Sequence, residues 1–146
     1  MRVAIGSDHA GYEYKDQIKK YLRNKEIEVL DFGPNNNQAS DYPDYAKIVA
    51  EKVSQDPEYD LGILICGTGI GMSISANKVK GIRAAVISTK FVAKSAKAHN
   101  HANVITFGSR VSSIEEVLEF IDIFLKTEYS EETRHKRRVK KMDELG

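Results

Sequence analysis

The sequence lacks tryptophan altogether and has a single cysteine and only three prolines among its 146 residues. One cysteine excludes a disulfide within the chain and fits a reducing compartment, so we expect a cytoplasmic protein. No apolar run approaches the ~20 residues that a membrane-spanning helix needs, and the apolar N-terminal run is too short for a signal peptide. Basic and acidic residues nearly balance, at 22 and 21. The composition therefore gives no reason to expect a nucleic acid or a membrane as a partner.

The stretch from Leu61 to Asn77 is the most informative part of the sequence. It opens with a run of branched apolar side chains at 61–65, which is typical of a strand buried on both faces of a parallel sheet. Cys66 follows, and then a loop at 67–71 has glycine at every second position. A helix can begin directly behind this loop. Its unpaired N–H groups and its dipole would then face one point and favour an anion.

Cys66 stands at the edge of that predicted anion site. A thiol in such a place ionises more easily than a free thiol and can act as a nucleophile or a base. The stretch therefore predicts a reactive group beside an oxyanion hole. A lone cysteine at a buried strand end is also commonly no more than a small apolar residue, and the residues alone leave that alternative open. The glycine loop favours a ligand, because glycine destabilises strands and helices unless a backbone shape requires it.

The rest of the chain alternates strands with amphipathic helices. Strands are predicted at 3–5, 29–32, 61–65, 82–87 and 103–107, and helices around 14–22, 45–53, 72–77, 89–98 and 114–125. This alternation predicts a single α/β domain over residues 1–146, a three-layer, doubly wound (Rossmann-like) fold with a five-stranded, mostly parallel sheet. Residues 130–146 are highly charged. We expect them to form a C-terminal helical extension that reaches away from the core.

Three groups of candidate residues stand where predicted strands end. Asp8 and His9 come after the first strand, the 67–71 loop after the third, and Arg110 after the fifth. Ligands of doubly wound sheets bind beyond the carboxyl ends of the strands, so these groups are candidates for one site. Asp8 and His9 are equally compatible with a pair that caps the first helix.

His99, Arg134 and Arg138 are candidates with weaker support from the sequence. His99 is predicted near a helix C-terminus, where a protonated histidine is favoured for structural reasons as well. Arg134 and Arg138 are four residues apart and so share one helical face. Such a face is usually only solvated, but two guanidinium groups at this spacing can also bind a phosphate.

Motifs for other ligands fail when they are tested directly. The dinucleotide fingerprint needs its third glycine one residue later than Gly71, and Ser88 stands where an acidic residue should end the next strand. A phosphate-binding P-loop would need lysine after Gly11, where Tyr12 and Glu13 follow. The four histidines show no spacing typical of a metal site. A nucleic-acid function of the basic tail is disfavoured because no aromatic residues interleave with its charges.

The chain resembles the type B ribose-5-phosphate isomerases, in the family that also contains galactose-6-phosphate isomerase subunits. The resemblance is specific because its motifs cover nearly the whole chain in the family order. These motifs are GSDHAG at 6–11, DYPDYA at 41–46, CGTGIG at 66–71, ANK at 76–78, GIRA at 81–84, HN at 99–100, FGSR at 107–110, and Arg134-His135 with Arg138.

The resemblance implies an aldose–ketose isomerase that needs no metal or other cofactor and acts on a sugar phosphate. By position, Cys66 corresponds to the base that moves a proton between C1 and C2, and Thr68 lies beside it. His99, contributed by the neighbouring subunit of a homodimer, corresponds to the residue that opens the furanose ring, with Asp8 assisting. The further substrate contacts that the resemblance implies are the backbone of Gly67, Thr68, Gly69, Ile70 and Gly71 around the enediolate oxygen, Asn100, Arg110, and the phosphate ligands His9, Arg134 and Arg138. A pair of dimers is a further possibility in the family.

Some members of the family lack the cysteine and carry glutamate at the position of Met72. Here Cys66 is present and Met72 cannot act as a base, so the resemblance implies the cysteine form. Ribose 5-phosphate is the expected substrate, with allose 6-phosphate or galactose 6-phosphate as alternatives. A non-catalytic module that binds sugar phosphates or nucleotides on the same scaffold is a further alternative, because a fold does not fix a function.

Overall fold

The computed structural model describes residues 1–146 as five strands and six helices. The strands are Arg2–Ser7 (β1), Glu28–Asp31 (β2), Leu61–Cys66 (β3), Ala84–Val86 (β4) and Val104–Gly108 (β5). The helices are Tyr12–Asn24 (α1), Tyr42–Gln55 (α2), Ile70–Asn77 (α3), Lys90–Ala98 (α4), Ile114–Lys126 (α5) and Thr133–Asp143 (α6). No helix combines the length and the apolar character needed to cross a membrane. The predicted alternation of strands and helices is confirmed.

All five strands are parallel and lie in the order β2-β1-β3-β5-β4. The predicted mostly parallel sheet is therefore parallel throughout. β3 is the central strand, and all six of its residues are buried because helices cover both faces of the sheet. β5 lies between β3 and β4 although it follows β4 in the chain.

Two apolar layers enclose the sheet, as a three-layer fold requires. On one face, side chains of α1, α4 and α5 pack with Ile63 and Ile65 of β3 in a cluster of 18 buried residues. On the other, side chains of α2 and α3 pack with Leu64 and Cys66 in a cluster of 11. Successive residues of β3 thus point to opposite layers, as the pleat of a strand dictates. Cys66 belongs to the α2/α3 layer.

The fourth strand is shorter than the sequence predicts. It covers Ala84–Val86 rather than 82–87. The strand starts only at Ala84, because the Arg83 N–H donates to the side chain of Asn103, at 2.8 Å from its Oδ1, and not to a neighbouring strand. β4 is also an edge strand with a single partner, so no second neighbour extends it.

The charged C-terminal helix forms, but the prediction that it reaches away from the core is wrong. α6 lies against its own chain, with His135 and Val139 buried on one face. The Ser130 N–H donates to the Ala98 carbonyl at 2.9 Å, and Arg83 pairs with Asp143 at 3.0 Å. The sequence obscures this docking because only two residues of the helix are buried among eleven that are mostly charged.

Candidate active site

The strand order brings the loops after β1, β3 and β5 together at one edge of the sheet. Two backbone hydrogen bonds join the loop after β5 to the loop after β3: Ser109 N–H to the Cys66 carbonyl (2.9 Å) and Arg110 N–H to the Gly67 carbonyl (3.0 Å). On the other side of β3, the Asp8 N–H of the loop after β1 donates to the Ile65 carbonyl at 3.2 Å. The three groups that the sequence placed at strand ends therefore form one continuous edge.

Cys66 ends β3 with its thiol enclosed by this edge. The residue is 4% exposed, and the Gly69 N–H points at its Sγ with a nitrogen–sulfur distance of 3.1 Å. The loop therefore folds back over the thiol and supplies it with a hydrogen-bond donor. Thr68 is exposed beside the thiol, and its Oγ1 accepts the Ile70 N–H at 3.2 Å.

Gly69 sets the shape of the loop. Its φ is +82°, in the left-handed region, and a Cβ there would lie 3.0 Å from the backbone of Phe107. The Gly69 carbonyl accepts the Thr106 hydroxyl at 2.8 Å, which fixes the loop to β5. The N–H groups of Gly67 and Gly71 make no hydrogen bond within the chain. They are free to bind an oxyanion beside the thiol, Gly71 from the first turn of α3 and Gly67 from the loop before it.

Two side chains border the loop. The Arg110 guanidinium lies over Gly67, so a Cβ on this glycine would be 3.1 Å from its Nη1. The Tyr42 ring lies against Gly71 on the α3 side, at 2.4 Å from where a Cβ would stand. The glycine at 71 therefore makes room for an aromatic ring as well as for a ligand. From the sequence, Tyr42 is known only as part of the DYPDYA motif and precedes the helix predicted around 45–53. The structure starts α2 at Tyr42, as proline at position 43 allows.

Asp8 and His9 each make a local contact at the same edge. Asp8 is buried, and its Oδ1 accepts the Gly11 N–H at 3.1 Å. This contact matches the structural alternative for Asp8, a residue that holds the start of the first helix. His9 is exposed, and its Nδ1 accepts the Ser40 N–H at 3.2 Å. A neutral His9 ring then carries its proton on Nε2, which leaves an N–H donor for a ligand.

His99, Asn100, Arg134 and Arg138 lie at the opposite edge of the sheet. α4 starts after the carboxyl end of β4 and ends before the amino end of β5, so His99 and Asn100 lie where the strands begin. The length of β5 separates them from Cys66 by roughly 17 Å. Within one chain the structure therefore does not bring His99 to the thiol.

The second group of residues forms a basic surface of its own. Arg134 and Arg138 are both exposed, and Arg134 pairs with Glu132 at 2.9 Å. The His99 ring stacks on the ring of His135, with centroids 4.4 Å apart. Burial, and then the charges of His99 and Arg134, lower the pKa of His135. The sequence offered only one signal for His135, its place beside Arg134 in a matched motif.

Comparison with known proteins identifies the family of the chain. Residues 3–142 match the family model described as Ribose/Galactose Isomerase. The chain belongs to this family. It is 44% identical over 138 residues to ribose-5-phosphate isomerase B of Escherichia coli, which covers 94% of this chain and 91% of that protein.

Solved structures extend the similarity to three dimensions. Ribose-5-phosphate isomerase B of Clostridium thermocellum superposes with a TM-score of 0.95 at 46% identity, over 99% of this chain and 97% of that one. The enzyme of Mycoplasma genitalium with bound ribulose-5-phosphate gives a TM-score of 0.93 at 43% identity, over 98% and 94% of the two chains. The fold is thus that of the ribose-5-phosphate isomerase B structures.

Proposed function

We propose that the protein is an aldose–ketose isomerase that interconverts D-ribose 5-phosphate and D-ribulose 5-phosphate through an enediolate intermediate. The observation that carries the proposal is the buried Cys66 thiol, which lies beside a loop with free N–H groups at Gly67 and Gly71. Moving a proton next to a carbonyl needs a base and a means of stabilising the oxyanion that forms. The reaction belongs to the pentose phosphate pathway, and we place the protein in the cytoplasm.

Cys66 is the proposed base, and Thr68 lies beside it. As thiolate, Cys66 takes the proton from C2 of the open-chain aldose and returns it to C1. The hydroxyl proton passes from O2 to O1 across the enediolate, so the carbonyl moves from C1 to C2. The backbone of Gly67, Gly69, Ile70 and Gly71 surrounds the enediolate oxygen. Donors placed in this way are each typically worth about 3–4 kcal/mol of transition-state stabilisation.

The proposed phosphate ligands supply positive charge that the chain as a whole lacks. The substrate phosphate is a dianion at neutral pH, whereas the formal charge of the protein is only +1. We assign the phosphate to His9, Arg134 and Arg138, with Arg110 as a further substrate contact at the loop. A phosphate held by arginine can fix the sugar carbons over the thiol.

We further propose a homodimer whose sites lie between subunits. His99, which opens the furanose ring with the help of Asp8, lies with Asn100, Arg134 and Arg138 at the far edge of its own sheet. A second copy must therefore supply all four of these residues to the site that contains Cys66. Beside the glycine loop, Ile70 and Ile74 of α3 are 55% and 57% exposed, and they form an apolar surface that a second copy can cover. Residues 1–146 then act as one isomerase domain with α6 as its C-terminal part.

Conversion of ribose 5-phosphate by the purified protein in EDTA, alongside Cys66→Ala, tests the proposal. We expect the parent to be active without metal and the variant to lose turnover by at least about 10²-fold while it still binds the sugar phosphate. A Cys66→Ala enzyme with near-normal kcat would overturn the assignment of the base. If the parent turned over allose 6-phosphate or galactose 6-phosphate instead, the substrate would be wrong and the reaction class right. Binding without turnover of any sugar phosphate would favour a non-catalytic module.

A further inference from the structure

His135 is a buried histidine to which the proposed reaction gives no task. It lies in the first turn of α6, and its side chain is only 8% exposed. Its ring stacks on the ring of His99, with centroids 4.4 Å apart and planes 28° apart. Its Nδ1 is buried and has no hydrogen-bond partner in the chain. The ring is therefore placed by packing against His99 and its surroundings, and not by a hydrogen bond at Nδ1.

His99, in contrast, has an exposed side chain at the C-cap of α4. An exposed side chain without a support changes rotamer on a short timescale. A buried ring against one of its faces restricts that rotation, since the two planes must stay nearly parallel to keep their contact. The structure thus gives His99 a fixed surface on one side and leaves the other side open to a ligand.

Burial and the charges around the stack keep the supporting ring neutral. Burial lowers the pKa of His135, and His99, Arg134 and Arg138 act in the same direction, while Glu132 opposes them. His135 is therefore neutral at neutral pH. A neutral ring can face either the neutral or the protonated form of His99 without repulsion, so the stack persists while His99 gains or loses a proton.

We infer that His135 is a positioning residue that holds the His99 ring in the plane needed to open the furanose ring of the substrate. The inference rests on the proposed function, because that function gives His99 its role. In ring opening, the O1 hydroxyl loses its proton to a base and becomes the carbonyl oxygen as the C1–O4 bond breaks. O4 receives a proton from His99. Proton transfer depends steeply on alignment, and a displacement of about 1 Å can cost ~10²-fold in rate.

Two reactions of the same enzyme separate ring opening from proton transfer at carbon. Ribulose 5-phosphate is open-chain, because its C5 oxygen carries the phosphate and cannot close a five-membered ring. Exchange of its C1 hydrogen with solvent deuterium needs the enediolate step and no ring opening. Turnover of ribose 5-phosphate needs both steps. A variant that misplaces His99 alone should slow turnover and spare exchange.

The decisive variants are His135→Ala, which removes the supporting ring, and His135→Phe, which replaces it with another flat ring. We expect His135→Ala to lower kcat for ribose 5-phosphate by about 10-fold or more. Its rate of deuterium exchange into ribulose 5-phosphate should stay within about two-fold of the parent. His135→Phe should recover most of the lost turnover. A role limited to anchoring α6 would instead displace Arg134 and Arg138 and raise the half-saturation concentration in both reactions.

His101→Asn is the matched control. His101 stacks on Tyr129 with centroids 4.2 Å apart, so the variant removes a neighbouring histidine stack that does not touch His99. Its φ is +48°, a conformation that asparagine tolerates. We expect the ratio of turnover to exchange to stay unchanged. Normal turnover in His135→Ala, an equal fall of both rates, or no recovery in His135→Phe would overturn the inference. A parent without either reaction would overturn the proposed function itself.

Discussion

At the scale of single residues, Gly69 links the shape of the loop to its chemistry. Its N–H donates to the Cys66 thiol, and its φ of +82° is strained for any residue with a side chain. We predict that Gly69→Ala destabilises the protein by about 1–3 kcal/mol, because the new Cβ also meets the Phe107 backbone. Activity toward ribose 5-phosphate should fall at least about 10-fold, since the donor moves away from the sulfur. Urea unfolding and steady-state kinetics measure the two effects.

Gly81 offers a matched control for this substitution. Its φ of +88° imposes a similar backbone strain, but its Cβ would meet only the Ser54 hydroxyl, at 3.3 Å. Gly81→Ala should therefore lower stability by about 1 kcal/mol and leave kcat unchanged. If both variants lost activity equally, general destabilisation would explain the result and the role assigned to Gly69 would be wrong.

Lys15 is the one lysine whose side chain is fully buried. Its Nζ binds Asp31 at 2.9 Å and also the Pro34 carbonyl, which ties α1 to the segment after β2. Burial lowers the pKa of Lys15, and the bond to Asp31 acts against this shift. Lys15→Met should cost about 2 kcal/mol, because the Pro34 carbonyl loses its donor while Asp31 keeps Lys19. The exposed Lys20→Met should cost under about 0.5 kcal/mol in the same urea titration, and equal costs would contradict the argument.

At the scale of elements, α6 is a charged helix that is docked through a histidine. The pKa values of His135 and His101 both lie below the ordinary 6.5, in each case first of all because of burial. Near pH 6.5 these two histidines therefore bind protons in the unfolded chain but stay neutral in the folded chain. We predict that stability is fully present above this pH and falls as the pH is lowered through it. Thermal unfolding at pH 7.5 and pH 5 measures the difference.

A comparison of variants tells which histidine is responsible. His135→Phe cannot take up a proton, so the fall in stability between the two pH values should be smaller than in the parent. His101→Asn should remove the other part of the fall. An undiminished fall in the double variant would show that other groups, such as protonated carboxylates, account for it.

The sequence predicted the elements better than it predicted their placement. Apolar patterns located the five strands and four of the helices, because a strand and a helix bury residues at different intervals. The glycine loop located α3, and the charged composition of the tail located α6. The apolar patterns missed the docking of α6, since two buried residues at i and i+4, His135 and Val139, give too weak a pattern among charged neighbours. The start of β4 also depended on a side chain distant in sequence, Asn103, which no local pattern could indicate.

At the scale of the whole molecule, the candidate residues divide between the two edges of the sheet. If the sites are shared between subunits, a Cys66→Ala chain and a His99→Ala chain complement each other. Each mixed dimer then has one site with both residues intact and one with neither. Random mixing by co-refolding should recover about a quarter of wild-type activity from two inactive parents. No recovery, with mixed dimers shown by mass spectrometry, would contradict the shared site.

The sequence predicts which site residues meet only where the direction of the strands decides it. Asp8, Cys66 and Arg110 each follow a strand, and parallel strands end at one edge, so their meeting was predictable. His99 follows a helix that runs back to the other edge. Its proposed partner in catalysis belongs to a second copy, and no intrachain pattern specifies how two copies meet. That part of the prediction came from the family resemblance.

The insertion of β5 between β3 and β4 also determines when, during synthesis of the chain, the loop over the Cys66 thiol can fold. β4 pairs only with β5, so it has no place in the sheet until the later strand has been made. The same strand carries Thr106 and Phe107, against which Gly69 is held. A nascent chain that has already produced Cys66 therefore still lacks the surface that shapes the loop over it. The loop can enclose the thiol only after residues 104–108 leave the ribosome and join the sheet.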